Sequence, residues 1–289
     1  MRVLVTGAAT PLGTAIIDHL LRARDVEAVL AVDREPARLC DRVEVRAVDL
    51  RHARALHDLL WGEARDHAIT TIVHVDTRSA AVTRELVVAC SEHPTIQRFV
   101  YRSFGSVYAT STQNIVAEDA PLDFRPHAPA WLRERLEADL AVCAHPGGRL
   151  AIAVLRCAEV FAAGCGSALW QYLSSRACLR PIGFDPMVNL LSLADAARAF
   201  VAAVAVPAVG VFNIPGLDTL PLSRAIAESV RPNIPVPRAR RPPIGPLLDG
   251  RRAREAFGYV PRTPVQWPRP WWRRLIDELT NAEAETKTL

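Results

Sequence analysis

Lysine is almost absent from this chain. Among its 35 basic residues, the only lysine is Lys287, close to the C-terminus. Chemistry that needs a cationic side chain inside the fold therefore falls to arginine, which stays protonated at neutral pH. The formal net charge is only +4 over 289 residues, far from the concentrated basic surface typical of nucleic-acid-binding proteins. We expect no nucleic-acid partner.

Paired cysteines and long apolar runs are also lacking. The six cysteines form no Cys-x-x-Cys pair, a distribution that favours buried free thiols. Charged residues such as Arg156 and Asp195 interrupt the most apolar segments, so no run reaches the length of a membrane span. The N-terminus has no secretory-signal pattern, and we therefore expect a cytoplasmic protein.

Short valine-rich runs alternate with segments of helical spacing in the first half. The predicted strands cover residues 2–6, 28–33, 43–48, 71–75, 98–103 and 150–155, and the helices 11–24, 51–61, 80–92 and 131–143. Strands that alternate with helices indicate a parallel sheet covered on both faces. With right-handed crossovers, this pattern predicts an α/β fold with a Rossmann-type doubly wound sheet.

The alternation of strand and helix patterns becomes less regular after about residue 164. We predict a dinucleotide-binding domain at 1–164, with strands and helices that continue to about 213, and a smaller, mostly C-terminal substrate-binding lobe at 165–289. Helices are expected at 192–205, 221–230, 249–257 and 270–279. Residues 232–246 are rich in proline and arginine, which favours an extended surface segment.

A glycine-containing turn, residues 5–13, falls between the first strand and the first helix. Gly7 permits the tight turn, and Gly13 lets the helix pack closely on the sheet while its amino end, with Leu12, faces a pyrophosphate. The middle glycine of the usual three is replaced by Thr10. Its side chain either crowds the phosphates or donates a hydroxyl hydrogen bond to them.

An acidic residue follows at the spacing that a ribose needs. Asp33 ends the second strand about twenty residues after Gly13, where a carboxylate reaches the adenosine ribose hydroxyls. Its charge repels a 2′-phosphate, so we predict NAD in preference to NADP, although Arg34 leaves NADP open. Asp49 and Leu50, after the third strand, are expected to border the adenine. The alternative is that both aspartates only cap helices.

At these residues the chain resembles the extended short-chain dehydrogenase/reductases of the NAD-dependent epimerase/dehydratase group, which includes UDP-glucose 4-epimerase. The resemblance spans nearly the whole chain, through residues 6–13, 72–75, 98–108, 155–156, 195–198, 210–213 and 248–264. It implies reversible hydride transfer with NAD on a small-molecule substrate, either a nucleotide sugar or another carbonyl or hydroxyl compound. It also implies a homodimer formed through the helices at 80–92 and 131–143.

The family's catalytic pair is missing. Family enzymes use a tyrosine four residues before a lysine to move the substrate proton and hold the nicotinamide ribose. Two alignments of the helix stay open here: Trp131 with Arg135 followed by Asp139, or Pro129 with Arg133 followed by Glu137. Arginine can supply the positive charge, but neither alignment has a phenol, and an indole does not exchange a proton at neutral pH.

The family's serine, four residues before Tyr108, is replaced by Phe104. If activity survives, the proton has to be handled by Ser103, Ser106, Tyr108 or Glu159. Each has a structural alternative: packing for Tyr108, strand-end hydrogen bonds for the serines, and a solvated loop for Glu159.

The residues that family members use to bind a nucleotide sugar are changed as well. Glu159 replaces an asparagine, and Val188 replaces an arginine that clamps the diphosphate. Arg238, Arg240 and Arg241 either compensate or form a solvated basic loop, and we favour the loop.

Tryptophans and arginines alternate near the end, at Trp267, Trp271 and Trp272 with Arg269, Arg273 and Arg274. Such a segment can lie at a membrane interface. We favour packing of the tryptophans against the C-terminal lobe.

Two functions follow from these features. The first is an NAD-dependent enzyme of epimerase/dehydratase type with a non-standard proton-transfer group. The second is a redox-inactive dinucleotide-binding protein that acts as a sensor or partner subunit.

Overall fold

A computed structural model describes residues 1–35, 43–77, 79–109, 115–146, 148–237 and 244–267. Its strands are β1 (Arg2–Thr6), β2 (Ala28–Asp33), β3 (Glu44–Ala47), β4 (Thr71–His74), β5 (Arg98–Phe104), β6 (Ile115–Val116), β7 (Ala151–Cys157), β8 (Glu159–Val160), β9 (Cys178–Pro181), β10 (Met187–Leu191), β11 (Gly210–Ile214), β12 (Asp218–Pro221), β13 (Asn233–Val236) and β14 (Leu247–Leu248). Its α-helices are α1 (Pro11–Leu20), α2 (Ala53–Asp58), α3 (Ala80–Glu92), α4 (Ala130–Cys143), α5 (Ala168–Leu173), α6 (Leu193–Ala205), α7 (Leu222–Glu228) and α8 (Arg251–Phe257). A π-helical segment (Leu59–Ala64) follows α2, and a 3-10 turn (Gly105–Val107) follows β5.

Seven parallel strands form the main sheet in the order β11-β7-β5-β4-β1-β2-β3. The strand order reverses at β1, which pairs with β2 on one side and with β4 on the other. This arrangement confirms the predicted α/β doubly wound sheet. It brings the carboxyl ends of β1, β2, β4, β5 and β7 to one edge, where such sheets bind their ligands.

Two apolar layers cover the faces of this sheet. Val3 and Val5 of β1 pack with α1 and α6, whereas Leu4 packs with α3 on the opposite face. The alternation follows from the two-residue repeat of a strand, since successive side chains point to opposite faces. Both layers are apolar because both faces are covered by helices.

Residues 159–236 contain more strand than their sequence indicates. β10 pairs with β12 and β8, and β9 pairs with β13. These strands have at most five residues, and prolines end or interrupt three of them: Pro181, Pro221 and Pro235. Short strands with internal proline give little alternating signal, which is why sequence analysis predicted mainly helices here.

Several predicted bounds differ from the structure. α1 ends at Leu20 rather than residue 24. The amides of Arg22 and Ala23 donate in tight turns to the carbonyls of His19 and Leu20, which ends the helical pattern. The predicted helix 51–61 is α-helical only over Ala53–Asp58 and then widens into the π-helical segment. The strand predicted at 43–48 covers Glu44–Ala47. The predicted helix 270–279 lies outside the described residues.

Among the described helices, none is both long and apolar enough to cross a membrane. The cysteines of the described ranges are free thiols: Cys90, Cys143, Cys157, Cys165 and Cys178. Cys40 lies outside those ranges.

Candidate functional site

The turn between β1 and α1 has no room for side chains at its two glycines. Gly7 has a φ of +73°, and a β-carbon there would lie 2.8 Å from the backbone nitrogen of Asp76. A β-carbon on Gly13 would lie 2.1 Å from the carbonyl oxygen of Gly7. Both glycines are therefore required by close backbone approach, as expected of a turn that receives a phosphate.

Thr10 caps α1. Its hydroxyl donates to the Gly7 carbonyl (2.7 Å) and accepts from the Gly13 amide (3.0 Å). The threonine is thus engaged within the turn, an arrangement that neither of the two sequence alternatives anticipated. Such a cap stabilises a helix by about 1 kcal/mol.

Asp33 joins the end of β2 to this turn. Its carboxylate is 8% exposed and accepts hydrogen bonds from the amides of Ala9 (3.0 Å) and Arg34 (2.7 Å). The carboxylate therefore lies against the turn between β1 and α1.

Asp49 and Leu50 follow β3 next to Asp33, because the Val48 amide donates to the Asp33 carbonyl (2.8 Å). Hydrogen bonds from Arg51 hold the pKa of Asp49 well below its usual range. Leu50 is 8% exposed and belongs to the apolar layer. Of the two, Asp49 offers the more accessible side chain.

The two alignments of α4 place their residues on different faces of the helix. Arg133 and Glu137 are exposed, whereas Asp139 is fully buried and Arg135 is half-buried. Arg135 and Asp139 therefore face the interior, whereas Arg133 and Glu137 face solvent. Which alignment matches the family's tyrosine and lysine stays a prediction.

Arg135 is stacked between two aromatic rings. Its guanidinium lies 3.7 Å from the ring centre of Phe104 and 4.9 Å from that of Trp131. It also donates to the Ser106 hydroxyl (3.4 Å) and to the Gly166 carbonyl (2.9 Å). The Arg135 guanidinium thus makes a cation–π contact with each ring, and we call the three residues the stack.

Glu159 lies near this stack. Burial raises the pKa of the Glu159 carboxyl, although the Ser167 hydrogen bond (2.6 Å) and the charge of Arg135 act to lower it. Burial lowers the pKa of Arg135 to about 10, against the attraction of Glu159. Arg135 therefore remains a cation at neutral pH, and Glu159 is not the solvated loop residue of the structural alternative.

Ser103 belongs to a buried ion-pair network. Its hydroxyl donates to the carboxylate of Asp139, which accepts two further hydrogen bonds from Arg156 at 2.7 and 3.0 Å. All three residues are buried. Ser103 therefore ties β5 to α4 and has no free face toward the cleft.

Tyr108 is a packing residue. Its hydroxyl donates to the Asn213 side chain (2.7 Å), and the Arg156 guanidinium lies 4.8 Å from its ring centre. Burial raises the pKa of the Tyr108 phenol. A phenol held in this way is a poor proton donor or acceptor for a substrate.

Arg102 is a site residue that sequence analysis missed. It is 5% exposed, donates to the Cys165 carbonyl (2.7 Å) and lies 4.8 Å from the ring centre of Phe104. Its Nε has no hydrogen-bond partner. The sequence does contain a signal for it, because an arginine within the apolar fifth strand is unusual. Such buried positions rarely carry a charge without a functional reason.

A small cavity adjoins two of the residues predicted to handle the proton. Its volume is about 10 Å³, and it lies beside the 3-10 turn and the ends of β7 and β8. Its lining includes Ser106, Glu159, Val188, Asn189 and Ile244. This space holds one water at most.

Some predicted residues lie outside the described ranges. They are Arg238, Arg240, Arg241, Arg269, Trp271, Trp272, Arg273, Arg274 and Lys287. Trp267 is described, and its ring packs edge-on against Phe161 at 5.3 Å, as the packing interpretation predicts.

Comparisons with known proteins agree with this architecture. The model of the NAD dependent epimerase/dehydratase family matches residues 3–214. An uncharacterised protein of Mycobacterium tuberculosis is 29% identical over 259 residues, which cover 81% of this chain and 67% of that protein.

Solved structures share the fold. The UDP-glucuronic acid 4-epimerase of Bacillus cereus, solved with UDP-glucuronic acid and NAD, superposes with a TM-score of 0.72 at 19% identity, covering 91% of this chain and 95% of that one. The dTDP-glucose 4,6-dehydratase DesIV of Streptomyces venezuelae, with NAD and TYD bound, gives 0.70 at 18% identity over 91% and 93% of the chains.

Proposed function

Since the chain belongs to the NAD dependent epimerase/dehydratase family, we propose that it binds NAD and does not perform the family's tyrosine-dependent proton transfer. It then acts as a dinucleotide-responsive sensor or as a partner subunit. The observation that carries this proposal is the stack of Arg135 with Phe104 and Trp131.

The turn after β1 supports cofactor binding. The closely approached backbone at Gly7 and Gly13 fits a pyrophosphate, and the Asp33 carboxylate at the end of β2 fits the adenosine ribose hydroxyls. The similar epimerase and dehydratase structures were solved with NAD.

The charges around the adenosine end favour NAD over NADP. The carboxylate of Asp33 repels a 2′-phosphate, and the Arg34 guanidinium is paired with Glu35 at 3.4 Å. Such an exposed pair is weak, but it reduces the attraction of Arg34 for a 2′-phosphate.

The stack argues against proton transfer. NAD supplies a hydride acceptor when bound, but the substrate hydroxyl must also lose a proton to a base. Trp131 has no exchangeable proton near neutral pH, Phe104 has none at all, and Arg135 keeps its proton. The three positions therefore supply packing and charge in place of acid–base chemistry.

Incubation of the purified protein with NAD or NADH and a panel of nucleotide sugars and carbonyl compounds tests this proposal. We expect saturable coenzyme binding in calorimetry, and with every compound both an unchanged nicotinamide absorbance and an unconverted substrate. Sustained oxidation or reduction of the coenzyme would contradict the redox-inactive assignment.

The second candidate function is an active oxidoreductase that uses Glu159 as its base. Its support is the position of Glu159 in the cavity lining, next to Ser106, with a pKa raised by burial. If turnover is found, Glu159→Gln should abolish it while coenzyme affinity stays within about twofold, because the change keeps size and hydrogen bonding. Retained turnover in this variant would exclude Glu159 as the base.

A further inference from the structure

The loop that follows β8 lies across the amino end of α1. We call residues 162–167 the strap. A β-carbon on Gly164 would lie 3.0 Å from Cγ of Pro11, and Gly164 has a φ of +73°. The backbone of the strap is therefore packed directly against the first residue of the helix.

Side chains from β5, α4 and β8 hold the strap in this position. The bonds are those from Arg102 to the Cys165 carbonyl (2.7 Å), from Arg135 to the Gly166 carbonyl (2.9 Å) and from Ser167 to Glu159 (2.6 Å). Two guanidiniums thus bind successive carbonyls of one short loop. Charged donors make such bonds stronger than neutral ones.

The first turn of α1 offers few free amides in this arrangement. In a Rossmann sheet the pyrophosphate binds the free amides of the first turn of α1. Here Pro11 has no amide hydrogen, and the Gly13 amide donates to Thr10. The strap itself contacts this turn at Leu12. Burial, the larger effect, raises the pKa of the Cys165 thiol, whereas a hydrogen bond from the Leu12 amide lowers it.

The strap also covers the nicotinamide half of the site. A dinucleotide crosses the point where the strand order reverses, so this half lies over the ends of β4, β5 and β7. Arg102 and Phe104 stand at the end of β5, and the strap lies against Arg102. The strap therefore lies at the edge of the sheet where that half is expected to bind.

We propose that the strap is a gate on the dinucleotide site, so that NAD binds only after residues 162–167 have moved away from α1. Arg102 is the positioning residue that holds the gate closed. This inference rests on the proposed function. The apparent dissociation constant for NAD is then the intrinsic constant divided by the fraction of molecules with an open strap.

Arg102→Met tests the gate. Methionine keeps a long apolar side chain beside Phe104 but loses the bond to Cys165. We expect NAD to bind about tenfold more tightly, with a faster association rate, because more molecules have an open strap. A residue that only stabilised the fold would lower the melting temperature without tightening NAD.

Gly164→Ala provides an independent test if Arg102→Met does not fold. Its methyl group would press on Pro11, whereas Gly183→Ala introduces the same left-handed strain (φ +74°) with no atom within 4 Å. We expect tighter NAD binding for Gly164→Ala and an unchanged dissociation constant for Gly183→Ala.

The outcomes separate the gate from the proposed function. If the wild type and the variants all bind NAD with one dissociation constant, or the strap variants bind more weakly, the gate is wrong and NAD binding stands. If folded wild type and folded variants all fail to bind NAD and NADH, the proposed function itself is wrong.

Discussion

At the scale of single residues, the most consequential charges are those buried beside the cleft. Asp139 and Arg156 are at most 4% exposed and share two hydrogen bonds, and Ser103 donates to the same carboxylate. A buried pair of this kind adds little net stability compared with apolar residues, but removal of one partner leaves an uncompensated charge.

We therefore predict that Asp139→Asn lowers the free energy of unfolding by about 3–5 kcal/mol, because the Arg156 guanidinium is left buried without its counterion. Denaturant unfolding at neutral pH measures this loss. The matched control is Glu228→Gln, which breaks the exposed pair with Arg224 (2.7 Å) and should cost no more than about 1 kcal/mol. Equal losses in the two variants would contradict the assignment.

A second prediction at this scale concerns cofactor choice. Asp33→Asn removes the charge that binds the ribose hydroxyls and repels a 2′-phosphate. NAD should therefore bind about tenfold more weakly, and the difference between the dissociation constants for NAD and NADP should become smaller. Asp58→Asn, which removes an exposed carboxylate of α2 that is paired with Arg54, serves as the control and should leave NAD affinity unchanged. Unchanged NAD affinity in Asp33→Asn would refute the assignment of Asp33.

At the scale of elements, a buried histidine links β1, β4 and α3. The His74 ring is bonded at one nitrogen to the Thr6 hydroxyl (2.6 Å) and at the other to the Thr83 hydroxyl (3.0 Å). Burial lowers the pKa of His74 to about 4, although the Asp76 charge acts to raise it. His74 thus stays neutral in the folded protein at pH values where it is protonated in the unfolded chain.

The consequence is a loss of stability at acid pH. The contribution of His74 is fully present above pH 6.5 and is lost as the pH falls toward 4, by about 3 kcal/mol in total. His74→Gln should remove this component of the pH dependence of unfolding, whereas His57→Gln, at an exposed position, should retain it. Parallel pH profiles for wild type and His74→Gln would contradict the interpretation.

Elements with strong periodicity could be predicted from sequence, and weak ones could not. β1, β2 and α3 have the predicted bounds, because each is a regular apolar pattern ended by turn residues or a cap. β9, β12 and β13 were missed, since four residues with a proline give no clear period. Tertiary contacts, such as the arginine bonds to the strap, leave no local pattern.

At the scale of the whole molecule, the doubly wound sheet brings the ends of its strands to one edge. The glycine turn after β1 and Asp33 meet there, and their role as a coenzyme site stays a prediction. The stack of Arg135 with Phe104 and Trp131 shows how the three substituted positions pack together. Sequence analysis left two alignments of α4 open, and the contact of Arg135 with both rings has no signal in the sequence.

Coenzyme binding should also stabilise the molecule as a whole. A ligand that binds only the folded state adds about 2.7 kcal/mol at a hundred times its dissociation constant. Thermal unfolding with increasing NAD should therefore show a rising melting temperature, and NADP should give a smaller rise at equal concentration. A larger rise with NADP would overturn the preference for NAD.

Calorimetric titration of the purified chain with NAD and NADH tests the central claim most directly. The account predicts saturable binding at one site per chain, with a dissociation constant in the micromolar range. Absence of saturable binding for both coenzymes, with a folded protein, would contradict it.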